Sequence, residues 1–287
     1  MRTLDSSLCI FAFEAEMRPV CSVEPNETFC VRMRDALDGQ VKENDRDTDH
    51  VDTDRANPAT GPVAVSGAIP GQVLAVDILD IRVADSGYVT YGGMPRFFGQ
   101  HGGLLQFSQA IHLPLRPMIG TIGLAPRDGS FSTKLSDRHG GNMDIKDVCA
   151  GATLYLPVEQ PGGLLAMGDA HSIQADGESS GQGVETAAEA LVRVRLLEDR
   201  LSDGPLIFHA GRLMTIAAHE TLDGACAEAV EAMASILTTH SELDNEEAHV
   251  LIGLVGDVMI GQMVCATRTA RVALPIHAVP WTRSLPL

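Results

Sequence analysis

TGPVAVSGAIPGQVLAVDILDIRV, residues 60–83, decides how the fold is read. Val63 and Val65 recur at a two-residue spacing, which is the period of one strand face. Pro70-Gly71 marks a turn. VLAVDILDI, residues 73–81, then supplies an apolar run of strand length. No helical pattern stands between these strands, as a βαβ unit would require. The expected fold class is therefore mainly β, a β-sandwich or barrel-like architecture of many short strands.

Flanking segments extend this pattern. In ETFCVRMRDA, residues 27–36, Phe29, Val31 and Met33 face away from Cys30, Arg32 and Arg34. In LVRVRLLED, residues 191–199, Val192, Val194 and Leu196 oppose Arg193, Arg195 and Leu197, giving a strand with one wet face. Residues 150–168, AGATLYLPVEQPGGLLAMG, read as strand, turn, strand, and TARVALP, residues 269–275, as a closing strand. The glycine-rich section 84–135 is open to two readings, a flexible loop over a site or a pair of short strands. Within it Arg116 precedes Pro117, which favours an extended conformation and a structural role at an exposed edge. Helix enters late. Leu222, Cys226, Ala229, Val230, Met233, Ile236 and Leu237 form a buried stripe at three-and-four spacing. A second helix begins near Asp244, with Glu247 as its reciprocal capping partner and Leu251, Ile252 and Val255 turned inward.

At 287 residues the chain can bury a large core. Its 28 glycines and 15 prolines agree with many turns. A formal charge of −17 argues against nucleic acid or an anionic membrane as partner, and favours a small neutral or cationic substrate. None of the six cysteines forms a CxxC pair. The first residues lack the order of a signal peptide, and no apolar stretch approaches the roughly 20 residues needed to span a bilayer. The expectation is a cytoplasmic protein with reduced thiols. KENDRDTDHVDTD, residues 42–54, superficially resembles a calcium loop. It lacks the turn glycine and closing glutamate of an EF-hand, and reads as a solvated acidic loop.

Chemistry concentrates in two stretches. HGGNMDIKDVC, residues 139–149, holds His139, Asn142, Asp144 and Asp147; GDAHSIQADGE, residues 168–178, holds Asp169, His171, Gln174, Asp176 and Glu178, with Glu185 just beyond. Such groups are costly to bury unless paired. In an extended segment, residues two apart share a face, so Asp169 and His171 can present carboxylate and imidazole to one ion. Mixed nitrogen and oxygen donors suit zinc or another divalent transition ion, and an all-oxygen subset suits calcium. Each motif alone is weak, and two polar loops with satisfied side chains remain the alternative to a metal site. Ser179 and Ser180 lack the lysine-activated arrangement of a serine amidase. Cys149 reads as a small strand-edge residue, and neither a GxSxG elbow nor a P-loop is present.

Taken in order, TGPVAVSGAIPGQVLAVDILDI, LPLRPMIGTIGLAP, HGGNMDIKDVCAGATLYLPVEQPGGLLAMGDAHSIQADGE and EEAHVLIGLVGDVMIGQMV make the chain similar to the acetamidase/formamidase family, from about residue 25 to about residue 275. The resemblance implies hydrolysis of short aliphatic amides to carboxylate and ammonia, bound divalent ions and a homo-oligomer. It also implies a β fold with a smaller α+β part near the C-terminus: a β-rich domain over 1–205 carrying the site, and an α+β subdomain over 206–287 packed against it. Motif match carries over His139, Asn142, Asp144, Asp169, His171, Gln174, Asp176 and Glu178, and Glu185 also matches. One departure stands out. GESSGQGVE, residues 177–185, replaces the family's usual apolar residue and threonine with serines and a glutamine.

Amide hydrolysis needs a polarised carbonyl, a nucleophile and a proton for the departing nitrogen. The expected ligands are Asp144, Asp169 and His171, with His139 next. Glu178 is the expected general base and then acid, Asn142 and Gln174 are expected to orient the amide, and Glu185 is a further expected catalytic residue. The rival readings are a hydrolase of another C–N bond, in a larger, formyl, carbamoyl or cyclic amide, and a metal-stabilised binding protein without catalysis.

Overall fold

The computed structural model describes residues 1–200, 202–282 and 285. Two large sheets face one another. The first runs in the order Arg2–Leu4, Thr28–Met33, Ala188–Leu197, Val73–Val83, Thr153–Pro157, Leu206–His209, Arg212–His219, Arg268–Pro275, Asp257–Ile260. It is antiparallel except where Arg2–Leu4 lies parallel to Thr28–Met33. The second runs His112–Pro114, Leu104–Gln106, Met94–His101, Ser86–Tyr91, Glu185–Thr186, Leu165–His171, Met118–Gly123, Gly140–Asn142, Ser136–Asp137. Ala59–Val65 pairs onto Leu165–His171 and carries Cys9–Ile10 and Cys21–Val23.

The period of two sorts the side chains. From Val73–Val83, Leu74, Val76 and Ile78 enter the core between the sheets, where they meet Ile119, Ile122, Leu165 and Met167. Val73 and Ala75 point the other way, into a second core under the helices. The same alternation splits Leu154 and Leu156 from Tyr155, and Ala273 from Val272 and Leu274. Its first half, residues 73–78, is buried on both faces, and the second half, with Leu79, Asp80 and Arg82, reaches solvent. Within the buried half Asp77 is held by Arg193 and Arg195 at 2.8 and 2.9 Å.

Helix α1, Leu222–His240, buries Ala225, Ala229, Met233, Ala234, Ile236 and Leu237 against that second core. Helix α2, Asn245–Val255, starts on the expected capping box of Asp244 and Glu247. It buries Ala248 and Ile252 and leaves Leu251 half-buried against the core. Val255, expected to face inward, is exposed, because it ends the helix just before Gly256. No helix of the described residues is long and apolar enough to cross a membrane.

Two other sequence readings resolve. The section 84–135 forms short strands, with Ser86–Tyr91 and Met94–His101 as an antiparallel hairpin and Met118–Gly123 at the centre of the second sheet. Thr153–Pro157 and Leu165–His171 are strands as expected, but they belong to different sheets. The turn between them carries the chain from one layer to the other. The segment between them is therefore a crossover between the two sheets rather than a hairpin turn.

Candidate active and metal site

Leu165–His171 ends with Asp169 and His171 on one face. Its register sets Glu185 directly opposite His171, and Thr121 opposite both Gly168 and Asn142. Asp144 follows the short strand Gly140–Asn142, and Glu178 closes the loop after His171. Asp144, Asp169 and Glu178 all adopt left-handed backbone, with φ of 47°, 50° and 47°. Non-glycine residues rarely do so, and such conformations persist where surrounding structure holds them. The result is a cavity of about 190 Å³ bounded by Asn57, Asn142, Asp144, Asp169, His171, Glu178, Gln182, Glu185 and Cys265 among others.

Hydrogen bonds aim these groups. His171 Nδ1 lies 2.6 Å from Gln174 Oε1, while Gln174 Nε2 donates to the Asp144 carbonyl at 2.8 Å. With its nitrogen committed as donor, the Gln174 amide can only accept from Nδ1–H. That bond turns Nε2 toward Asp169 Oδ1, at 3.4 Å, and Glu185 Oε1, at 3.2 Å. Asn142 Nδ2 donates to Asp144 Oδ2 at 2.8 Å; its Oδ1 accepts from Asn57 at 2.9 Å and from Thr121 at 2.6 Å. Asn57 also donates to Asp169 Oδ2 at 2.9 Å. Two glycines make room. A Cβ on Gly120 would collide with the Asp144 carboxylate, and one on Gly183 would come within 2.6 Å of the His171 ring.

After these bonds, Asp144 Oδ1, Asp169 Oδ1, His171 Nε2 and Glu185 Oε2 are buried with no directed hydrogen bond among the described residues. Buried polar atoms are rarely left so. Donor atoms of Asp144, His171 and Glu178 lie within 4.8 Å of one another, as do those of Asp169, His171 and Glu185. This donor set fits a divalent cation. The electrostatics agree with a cluster that attracts positive charge. Burial pushes Glu178 up to about 7 and Glu185 up to about 8; in each case His171 opposes the rise and Asp169 adds to it. Burial also raises Asp144 well above the carboxylate range, with Glu178 and Asp169 adding. For His171 burial works downward, but Glu185 and Asp169 outweigh it, and the imidazole holds its proton well above its ordinary value.

The acetamidase/formamidase family pattern matches residues 12–112 and 127–215. The chain belongs to the acetamidase/formamidase family. It is 36% identical to an acetamidase of Bacillus halodurans of known crystal structure, with a TM-score of 0.94 and coverage of 96% of this chain and 97% of that one. A predicted acetamidase/formamidase from the thermophile Thermoanaerobacter tengcongensis superposes with a TM-score of 0.93 at 36% identity, covering 96% and 95%. A formamidase of Methylophilus methylotrophus is 27% identical in a match that covers 63% of this chain and 62% of that protein's length.

In this member of the acetamidase/formamidase family, Asn142, Asp144, Asp169, His171, Gln174, Glu178 and Glu185 converge. His139 does not join them. It is packed between Phe13 and Phe131, with ring centroids 5.1 and 4.9 Å away, in the wall of a different cavity beside Arg127 and Glu159. Gly140 and Gly141, with φ of 96° and 88°, turn the chain between His139 and Asn142. Burial lowers His139 to about 4, so its ring is neutral. Asp147 and Asp176 also stand outside the cavity and converge on buried Arg271, at 2.7 and 2.8 Å. The acidic loop 42–54 contributes no residue to the cavity lining. Sequence reasoning missed Asn57, Thr121 and Cys265. Asn57 precedes Pro58 and has φ of 52°, so an Asn-Pro turn was its only signal. Thr121 is a lone hydroxyl in an apolar strand. Cys265 Sγ lies 3.5 Å from Asn142 Nδ2, and burial pushes its thiol up to about 12.

Proposed function

We propose that the protein hydrolyses the C–N bond of small neutral amides, releasing carboxylate and ammonia, with a divalent cation held by Asp144, Asp169, His171 and Glu185. The observation that carries this reading is the set of four buried donor atoms with no hydrogen bond, gathered around one cavity beside a glutamate poised near 7. One imidazole among carboxylates favours zinc, and an all-oxygen coordination would favour calcium. When bound, such an ion polarises the amide carbonyl and acidifies water.

The chain's own groups do the rest. Glu178 is left out of the ligand set because, unlike the other four residues, it has no buried side-chain atom without a hydrogen bond, and its Oε1 accepts from Gly183 N at 2.8 Å. A base near 7 is matched to proton transfer at neutral pH. Glu178 takes a proton as the water oxygen bonds to the carbonyl carbon. It returns that proton to nitrogen as the C–N bond breaks, and the amine leaves with the bonding pair. Asn142 and Gln174, expected to orient the amide, have their own amide groups committed within the protein. They act as positioning residues, Gln174 for His171 and Asn142 for Asp144.

Ammonia release from formamide, acetamide and propionamide, measured before and after chelation, tests the reading. Activity should vanish on chelation and return with zinc or calcium. Chelator-resistant activity would remove the cation from the proposal, and metal binding without ammonia from any amide would favour a non-catalytic binding protein.

A further inference from the structure

Beside the acidic cavity lies a second space of about 720 Å³ with a different character. One wall is the hairpin Ser86–Tyr91 and Met94–His101, which contributes Val89, Met94 and Phe98; Phe107, Leu113 and Ile173 complete it. Phe98 and Phe107 stack at 5.5 Å with 14° between their planes. Arg96, the cation in this wall, lies over both rings at 5.0 and 4.5 Å, and its guanidinium donates to the Phe107 carbonyl at 2.9 Å. Its charge is directed at the wall. Tyr91 and Met94 are 72% and 64% exposed at the rim.

The opposite edge is the loop 178–183. Glu178 and Gln182 line both this groove and the acidic cavity. Gln182 Oε1 accepts from Thr90 N at 2.8 Å and its Nε2 donates to Thr90 Oγ1 at 2.6 Å, bolting the loop to the hairpin. Gln182 lies in GESSGQGVE, residues 177–185. A single glutamate therefore stands at the opening between a polar chamber the size of a small amide and an apolar groove far larger than formamide or acetamide. An apolar concavity of several hundred Å³ meeting a few convergent polar groups is the usual form of a small-molecule site.

We propose that this groove holds the apolar substituent of the substrate, so that the preferred substrates are amides carrying an alkyl chain of several carbons or an aryl group. The carboxamide enters the acidic cavity, and the substituent lies along Val89, Phe98 and Phe107. This inference rests on the amide-hydrolase reading above. It adds the side of the substrate that the ion does not touch.

The test is kcat/KM for acetamide, butyramide, hexanamide and phenylacetamide with the metal-loaded protein. Each methylene buried in a half-open apolar groove should raise kcat/KM about threefold, so hexanamide should exceed acetamide by roughly 100-fold. Met94→Asp alters an exposed position and Phe107→Ala opens the stacked wall. Each should lower the hexanamide-to-acetamide ratio at least roughly 10-fold. Acetamide hydrolysis with no rise along the series would overturn the groove proposal and leave the amidase reading standing. No hydrolysis of any amide would overturn both. A flat series together with a dimer that Met94→Asp dissociates would assign the groove to a second copy of the chain, against the proposal.

Discussion

Glu178 combines a left-handed backbone, burial and one N–H donor from Gly183, and the proposed role as base rests on that setting. Glu178→Gln keeps the shape and removes the base. Turnover should fall at least about 100-fold while metal content, read by atomic emission, stays stoichiometric. Lost metal would instead make Glu178 a ligand. The neighbouring groups predict a pH dependence. Metal-binding carboxylates and imidazole must be deprotonated, yet Glu185 is raised to about 8, and Asp144 and His171 are raised as well. A raised pKa means protons are held at neutral pH in the metal-free protein. Uptake should therefore release protons, and affinity should rise with pH up to about 8. Calorimetry in buffers of different ionisation enthalpy reads this directly; pH-independent affinity from 6 to 8 would contradict it. At this scale the sequence was informative in pairing Asp169 with His171, although the left-handed backbone at Asp169 departs from the plain strand period that suggested it. It misled at His139, because two positive-φ glycines reverse the chain beside it.

Elements bring the two polar stretches together through Arg271. This residue lies within Arg268–Pro275, is fully buried, and holds Asp147 of one stretch and Asp176 of the other. Lys146 pairs with Asp176 at 2.7 Å from the wet side. The non-site acids are thus fasteners for the loops that carry Asp144 and Glu178. Arg271→Leu leaves part-buried Asp147 and the more exposed Asp176 without their shared guanidinium. It should destabilise the protein by about 1–2 kcal/mol and weaken metal binding roughly 10-fold or more. Urea denaturation and metal titration measure these; a variant unchanged in both would detach the clamp from the site. The clamp was not legible beforehand, since an arginine in TARVALP reads as the wet face of an edge strand. Strand periodicity and the capping box at Asp244 were legible because they are local. That Thr153–Pro157 and Leu165–His171 join different sheets was not, because a turn sequence carries no record of which layer its strands enter.

For the whole molecule, burial organises function. The inner face of each sheet is apolar, the outer face of the first is covered by α1 and α2 over Arg212–His219 and Arg268–Pro275, and the acidic cavity opens where the second sheet's central strands end. The mainly β class followed from residues 60–83, since strands joined by a Pro-Gly turn leave no room for an intervening helix. Asn57, Thr121 and Cys265 are far from the two motif stretches in sequence and reach the cavity only through tertiary pairing. A formal charge of −17 agrees with a site whose carboxylates attract a cation and whose substrate is uncharged. The central claim is that separate stretches of the chain meet to grip one divalent ion. Anomalous diffraction at the zinc edge from crystals grown with zinc tests it most directly. The account predicts a peak bounded by Asp144 Oδ1, Asp169 Oδ1, His171 Nε2 and Glu185 Oε2; a fully occupied peak elsewhere, with none in this cluster, would contradict it.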